Sequence, residues 1–225
     1  YWLVAEVRSC NEQKLRSTST LTVPLSKSNG MIKIDVRVPY ISSSLPLYVV
    51  LRLLGFETKE EALRCIVSGG KLSGKTDLPE SWMDRGLYHW IETIFHNEMD
   101  PKHPDFTEMS YTKIVEWVGC RGTNKLTKDE RYKYVHHIME NEMLPHIATE
   151  NTPEALDRKR RFFAFIIHRL ATTARKIHRT GKMTYLDDRD HYGNKKIETS
   201  GLLMALCLRQ NWRNLLLSLL NSMRK

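Results

Sequence analysis

The sequence predicts an α+β fold, with short antiparallel strands at the N-terminus followed by a mainly helical domain. Three observations predict it. Ile32, Ile34, Val36 and Val38 alternate with Lys33, Asp35 and Arg37, the period of two that buries one face of a strand. Beyond residue 46 the apolar residues recur at helical spacing instead, as in Phe162, Phe163, Ile166, Ile167 and Leu170. Helix-start signals open several of these stretches: Thr58 precedes Glu61, Thr127 precedes Glu130, and Thr152 precedes Pro153.

Taken in order, residues 3–8 and 18–25 read as extended. With 32–38 they make about three strands, and Asn29-Gly30 is a turn signal before the third. Pro46 fits a first helical turn leading into 47–54, with Gly55 as the stop. Thr58-Lys59-Glu60-Glu61 is a capping box for a short helix through Ala62, Leu63, Cys65, Ile66 and Val67, ended by Gly69-Gly70. Residues 68–80 read as a loop, and 82–95 as a helix with Leu87, Trp90, Ile91 and Ile94 on one face. Pro101 and Pro104 break the chain. Residues 111–118 form a short helix closed by Gly119. The capping box at Thr127-Lys128-Asp129-Glu130 opens a helix carrying Tyr134, Val135, Ile138, Met139 and Met143, which Pro145 ends. The longest helix runs from about 153 to 179 and stops at Gly181. The last, 202–223, is apolar on most sides and is expected to pack on several neighbours.

With 41% hydrophobic and 27% charged residues, the composition reads as soluble and globular. The run 202–208 is followed by Arg209 and Arg213, so no apolar stretch reaches the ~20 residues of a membrane span. Residue 1 is Tyr rather than Met, and the chain reads as a fragment of a longer protein. The net charge of +9 favours a polyanionic partner, although a basic surface kept for solubility is the alternative. Cys10, Cys65, Cys120 and Cys207 are far apart and form no CxxC pair. A disulfide framework or zinc knuckle is therefore not expected, and a reducing intracellular setting fits.

The most polar stretch is Asp187-Asp188-Arg189-Asp190-His191-Tyr192-Gly193-Asn194-Lys195-Lys196. So many charges cannot form a core, because burying unpaired charge is too costly. It either binds something or is a solvated, internally paired turn. The aspartates could in principle hold a divalent cation, but Lys195 and Lys196 neutralise them more simply. A second basic cluster, Arg158-Lys159-Arg160-Arg161, opens the long helix and is followed at once by Phe162-Phe163. It reads either as a solvated basic face or as a phosphate contact. Positive charge near a helix N-terminus opposes the macrodipole, a small cost that a polyanion would offset.

Two motifs are deceptive. Gly69, Gly74, Lys75 and Thr76 match the phosphate-cradling P-loop pattern across residues 69–76. That pattern works only between a buried strand and a helix N-terminus. Here the preceding segment continues a capped helix, and Pro79 falls where the following helix should run. A glycine-rich surface loop is the expectation, and a P-loop nucleotide-binding protein the alternative. His89, His96 and His103 recur every seven residues, but helical geometry sets the first two too far apart to share an ion. No cofactor is expected to bind this chain.

The 187–196 stretch resembles the D-D-x-D-H-x-G-N/K-[KR]-[KR] signature of second-largest, beta-type subunits of multisubunit DNA-directed RNA polymerases. Four further segments resemble the family in the same order. LPLYVVLRLLG at 45–55 is similar to its IPI…FRALG, and WVGCRG at 117–122 to its FIG-x-RG. EMLPHI at 142–147 is similar to E-x-LPH, and 162–170, ending His168-Arg169-Leu170, to a helix ending (H/N)RLL. Residues 68–107 have no clear counterpart, Ser200-Gly201-Leu202-Leu203 lacks a usual proline, and Cys120 replaces a more typical Ser or Arg. The pattern is nearer eukaryotic and archaeal enzymes than bacterial ones, and its divergence would suit a large DNA virus.

The resemblance implies the lobe region of that subunit, a wall of the DNA cleft without catalytic residues of its own. Residues 1–195 would be the lobe-like domain, and 196–225 a helix returning to the adjacent protrusion domain. It implies a nucleotidyltransferase whose catalytic Mg2+ is held elsewhere, mainly by the largest subunit. The implied partners are the largest and smaller subunits, template and non-template DNA and initiation factors, with no membrane. The implied location is intracellular with DNA: the nucleus, or a cytoplasmic replication site or virion if viral. In bacterial relatives the residues matching Arg189, Asp190 and Lys195 line a pocket for an unpaired non-template base, although Arg189 stands where those relatives are apolar. Candidate DNA contacts are thus Arg189, Asp190, Lys195 and Lys196, together with Arg158, Lys159, Arg160 and Arg161. The rival for the 187–196 stretch is a structural hinge, and for the basic helix face a docking site for acidic partners.

Overall fold

The computed structural model describes residues 3–9, 19–28, 31–72, 79, 84–97, 106, 108–122, 127–150, 152–188, 190–195 and 197–223. An antiparallel sheet begins the chain: β1 (Leu3–Ser9), β2 (Ser19–Ser28), β3 (Met31–Val36) and β4 (Leu45–Pro46), in the order β1-β2-β3-β4. The alternation sets the register. Leu25 pairs with Ile34 and Val36 with Leu45, and all four are fully buried. The two-residue strand β4 was not expected, because its apolar residues run without a break into the next helix. The Asn29-Gly30 turn lies outside the described residues.

Helices follow: α1 (Leu47–Leu53), α2 (Lys59–Val67), α3 (Arg85–Asn97), α4 (Tyr111–Gly122), α5 (Lys128–His137), α6 (Pro153–Thr180) and α7 (Ser200–Met223). The architecture is therefore α+β, as the patterning predicts. One hydrophobic core joins the sheet to α1 through α6 and includes Val23, Ile34, Val50, Ile66, Ile91, Val118, Phe163 and Ile167. The buried stripe of α6 is the one expected, except that Phe162 is only half-buried.

Local chemistry explains the helix ends and corrects several expectations. The Thr127 and Glu130 box closes both ways, and Thr152 caps α6 through the Ala155 N–H. The box expected at Thr58 closes only one way. Thr58 accepts from the Glu61 N–H, but the Glu61 carboxylate accepts from the Glu57 N–H and from Arg160. The third helix starts at Arg85 rather than 82, because the Asp84 carboxylate accepts the Leu87 N–H as a cap. Gly119 does not close α4, which runs on to Gly122. A Cβ on Gly119 would lie 2.9 Å from Arg131 Cβ, and one on Gly122 would lie 2.6 Å from the Tyr134 ring. These glycines let α4 and α5 approach closely. The helix expected to run on to Pro145 turns into a π turn over Ile138–Glu142, after which Leu144 takes a φ of 53°.

The chain divides into two compact units, Tyr1–Tyr185 and Leu186–Lys225. The sheet and α1 to α6 make the first unit. The second comprises the polar stretch and α7, whose residues include none that is buried. Leu215, Leu216, Leu219 and Leu220 are each about half exposed on that helix. No described helix is long and apolar enough to cross a membrane.

Candidate functional site

In the second unit the polar stretch ties itself into consecutive tight turns. Asp188 Oδ1 accepts the Asp190 N–H at 2.9 Å, the local bond that makes aspartate a turn residue. His191 Nδ1 accepts the Gly193 N–H at 3.1 Å, so the hydrogen of the neutral ring sits on Nε2. A 3-10 turn over Tyr192–Asn194 follows, closed by Lys195 N–H donating to the Tyr192 carbonyl. Lys195 Nζ lies 3.2 Å from Asp190 Oδ1 with both side chains at the surface. Such an exposed pair contributes ~1 kcal/mol or less, so it opens readily to another partner. Among the described residues the carboxylates engage a backbone amide and a lysine rather than converging as an oxygen cage. Arg189 and Lys196 lie outside the described residues.

In the first unit the basic cluster of α6 divides in two. Arg158 and Arg161 are exposed, and Arg161 Nε pairs with Asp157 at 2.7 Å. Lys159 and Arg160 are buried, at 3% and 8% exposure. Lys159 Nζ donates to the Met139 and Glu140 carbonyls at 2.8 and 2.7 Å. These carbonyls belong to the π turn, where the i+5 partner of Glu140 is Pro145, which has no N–H. The lysine supplies the missing donor. Arg160 pairs with Glu61 and lies over the Phe56 ring at 4.3 Å. Neither buried residue presents its charge to a phosphate at the surface, so any such contact by this cluster rests on Arg158 and Arg161.

Burial pulls the Lys159 ammonium down to about 8, against the opposing pull of Glu140. The ordinary lysine value is 10.5. Between these pH values the unfolded chain binds more protons here than the folded one, so stability rises with pH. The expected gain is on the order of 1 kcal/mol per pH unit, measured as the wild-type stability minus that of Lys159→Met.

Among the described residues around Gly69, the strand that a P-loop needs before it is absent. The segment before it is α2, not a strand, and Gly69 and Gly70 make the turn that stops that helix. Gly69 N–H donates to Ile66 O and Gly70 N–H to Cys65 O, the two bonds of a Schellman end. Gly74, Lys75 and Thr76 lie outside the described residues, as does His103. His89 lies 3.5 Å from Glu92 on the same helix.

The fold also brings together residues that no local pattern links. Ser9 Oγ lies 2.7 Å from His146 Nδ1, which ties the end of β1 to the turn before α6. Burial and Lys159 both hold the His146 pKa below its ordinary value. Ser9 is 2% exposed, so its hydroxyl is buried in this tie, while the His146 ring reaches the surface. The His146 ring stands edge-on to Phe162, whose neighbour Phe165 is 42% exposed. An aromatic residue one helical turn after Arg161 and on the outer face was the available signal for Phe165. The spacing left it off the buried stripe of Phe162, Phe163, Ile166, Ile167 and Leu170, and no motif marked it as part of a site.

The chain matches the family model described as "RNA polymerase Rpb2, domain 2" over residues 15–198. It is 30% identical to DNA-directed RNA polymerase II subunit 2 of Arabidopsis thaliana, over 96% of this chain and 16% of that protein. It is 29% identical to subunit RPB2 of Schizosaccharomyces pombe, over 94% of this chain and 16% of that one. Against DNA-directed RNA polymerase subunit Rpo2N of Methanothermobacter thermautotrophicus the identity is 28%, over 77% of this chain and 31% of that one. The chain thus spans about a sixth of the length of the eukaryotic relatives.

Proposed function

The chain belongs to the RNA polymerase Rpb2 domain 2 family, and from that premise we propose that it forms the lobe wall of a transcribing polymerase's DNA cleft. In this reading it carries no reacting groups. The polymerase's nucleotidyl transfer and its Mg2+ belong to other parts of the assembly, chiefly the largest subunit. The chain narrows the cleft, steers downstream DNA and offers a surface to initiation factors, inside the cell wherever the DNA is transcribed. Helix α7 seats its apolar side on the adjacent domain of the same subunit.

The observation that carries the reading is the family match through residue 198, which includes the whole 187–196 stretch. Its chemistry suits a single-stranded base and its backbone. The Asp190 carboxylate can accept from the amino and imino donors of a base, and Lys195 can hold a phosphate once their weak mutual pair opens. DNA affinity from so few phosphate contacts is low, and it falls as salt rises.

The test is footprinting of the transcription bubble with Asp190→Ala polymerase. The reading expects a displaced or blurred downstream edge. An edge identical to wild type would leave the stretch only its structural role as a self-paired turn.

A further inference from the structure

The first unit carries a cleft that the DNA reading does not use. It lies between the glycine turn after α2 and the N-terminal half of α6, shallow and open to solvent, with a volume of about 450 Å³. Gly69 and Gly70 form one wall, and Arg158, Arg161, Phe162 and Phe165 the other, with His146 at one end. The turn abuts α6 at the base of the cleft, since a Cβ on Gly70 would fall 2.1 Å from the Arg161 carbonyl oxygen. The opposite wall is aromatic and cationic. The rings of Phe162 and Phe165 are 6.3 Å apart and tilted by 35°. Arg158 has no ion-pair partner among the described residues, and Arg161 is held beside them by Asp157.

Size and charge together select the occupant. A cleft of this volume takes one large side chain with its neighbours. A strand of nucleic acid needs a basic groove running along several nucleotides, with successive bases stacked on rings. Here a single ring, Phe165, is substantially exposed beside two guanidinium groups. We propose that this cleft docks an acidic peptide segment of a partner protein, with one aromatic or branched aliphatic side chain seated on Phe162 and Phe165 and its flanking carboxylates on Arg158 and Arg161. Planar guanidinium groups match carboxylates bidentately, and an apolar anchor in a small pocket supplies most of the affinity. The proposal names the partner chemistry for the factor-docking part of the function above. It does not depend on whether the 187–196 stretch meets DNA.

The experiment uses the assembled polymerase as wild type, Arg158→Glu and Phe165→Ala. Both positions are exposed, and co-purification of the other subunits reports an intact fold. Fluorescence anisotropy follows a labelled peptide of aspartates around one phenylalanine, the same peptide with serine in place of phenylalanine, and a labelled oligo-dT. Each substitution is expected to weaken the phenylalanine peptide about tenfold, the loss typical of an anchor or its paired charge. The serine peptide should bind weakly, unchanged by Phe165→Ala and weakened further by Arg158→Glu, and oligo-dT affinity should stay within about twofold. Equal peptide affinity in all three forms would overturn the proposal. So would an oligo-dT loss as large as the peptide's, which would make the cleft a nucleic-acid contact and leave the lobe reading standing.

Discussion

Arg160→Ala is expected to destabilise the junction of α2 and α6 by about 3–5 kcal/mol. Arg160 and Glu61 are each 8% exposed and pair with one another across the core. The Glu61 carboxylate also accepts the Glu57 N–H, so it cannot swing out to water without undoing the entry to α2. Truncating the arginine leaves that charge buried and uncompensated, and it strips the guanidinium from the Phe56 face. The paired replacement Glu61→Gln with Arg160→Met should lose much less, because no orphan charge remains and the methionine keeps most of the volume. Hydrogen exchange at the amides of α2 and α6 in the assembled protein measures both. Equal losses in the single and paired variants would mean that packing, not charge, dominates this site.

Gly70→Ala is the second large effect, expected at about 2–5 kcal/mol from overpacking and backbone strain together. The new methyl group would meet the Arg161 backbone, which cannot rotate away as a side chain could. Gly70 also holds a φ of 74°, where a Cβ is unfavourable. Gly69→Ala is the control. Its φ is similar at 65°, but the nearest contact is the His168 ring at 3.6 Å, so only the strain of about 1 kcal/mol remains. The same exchange measurement should rank Gly70→Ala well above Gly69→Ala. The reverse order would contradict the close approach of the turn to α6.

These two sites mark the boundary of what the sequence makes legible. Thr58, Thr127 and Thr152 could be read as caps because each bond spans only three residues. The alternation at 32–38 revealed β3 because pleating is local too. Gly119 misled because a glycine that admits a neighbouring helix looks the same in sequence as one that ends its own. The burial of Lys159 and Arg160 was hidden for a different reason. Their partners, the π-turn carbonyls and Glu61, are brought to them only by the fold. Within 187–196 the pairing of Asp190 with Lys195 was foreseeable from spacing, because both ends of the bond lie in one turn. The cleft beside Arg158 was not, since its two walls come from separate helices.

The proposed contact of this chain with nucleic acid runs through the 187–196 stretch. Tyr192, 84% exposed at the centre of that stretch, is the place to test it. A photoreactive amino acid at position 192 of an actively transcribing polymerase should crosslink to DNA near the downstream edge of the bubble. Crosslinks to protein alone, in complexes verified to be elongating, would contradict the account.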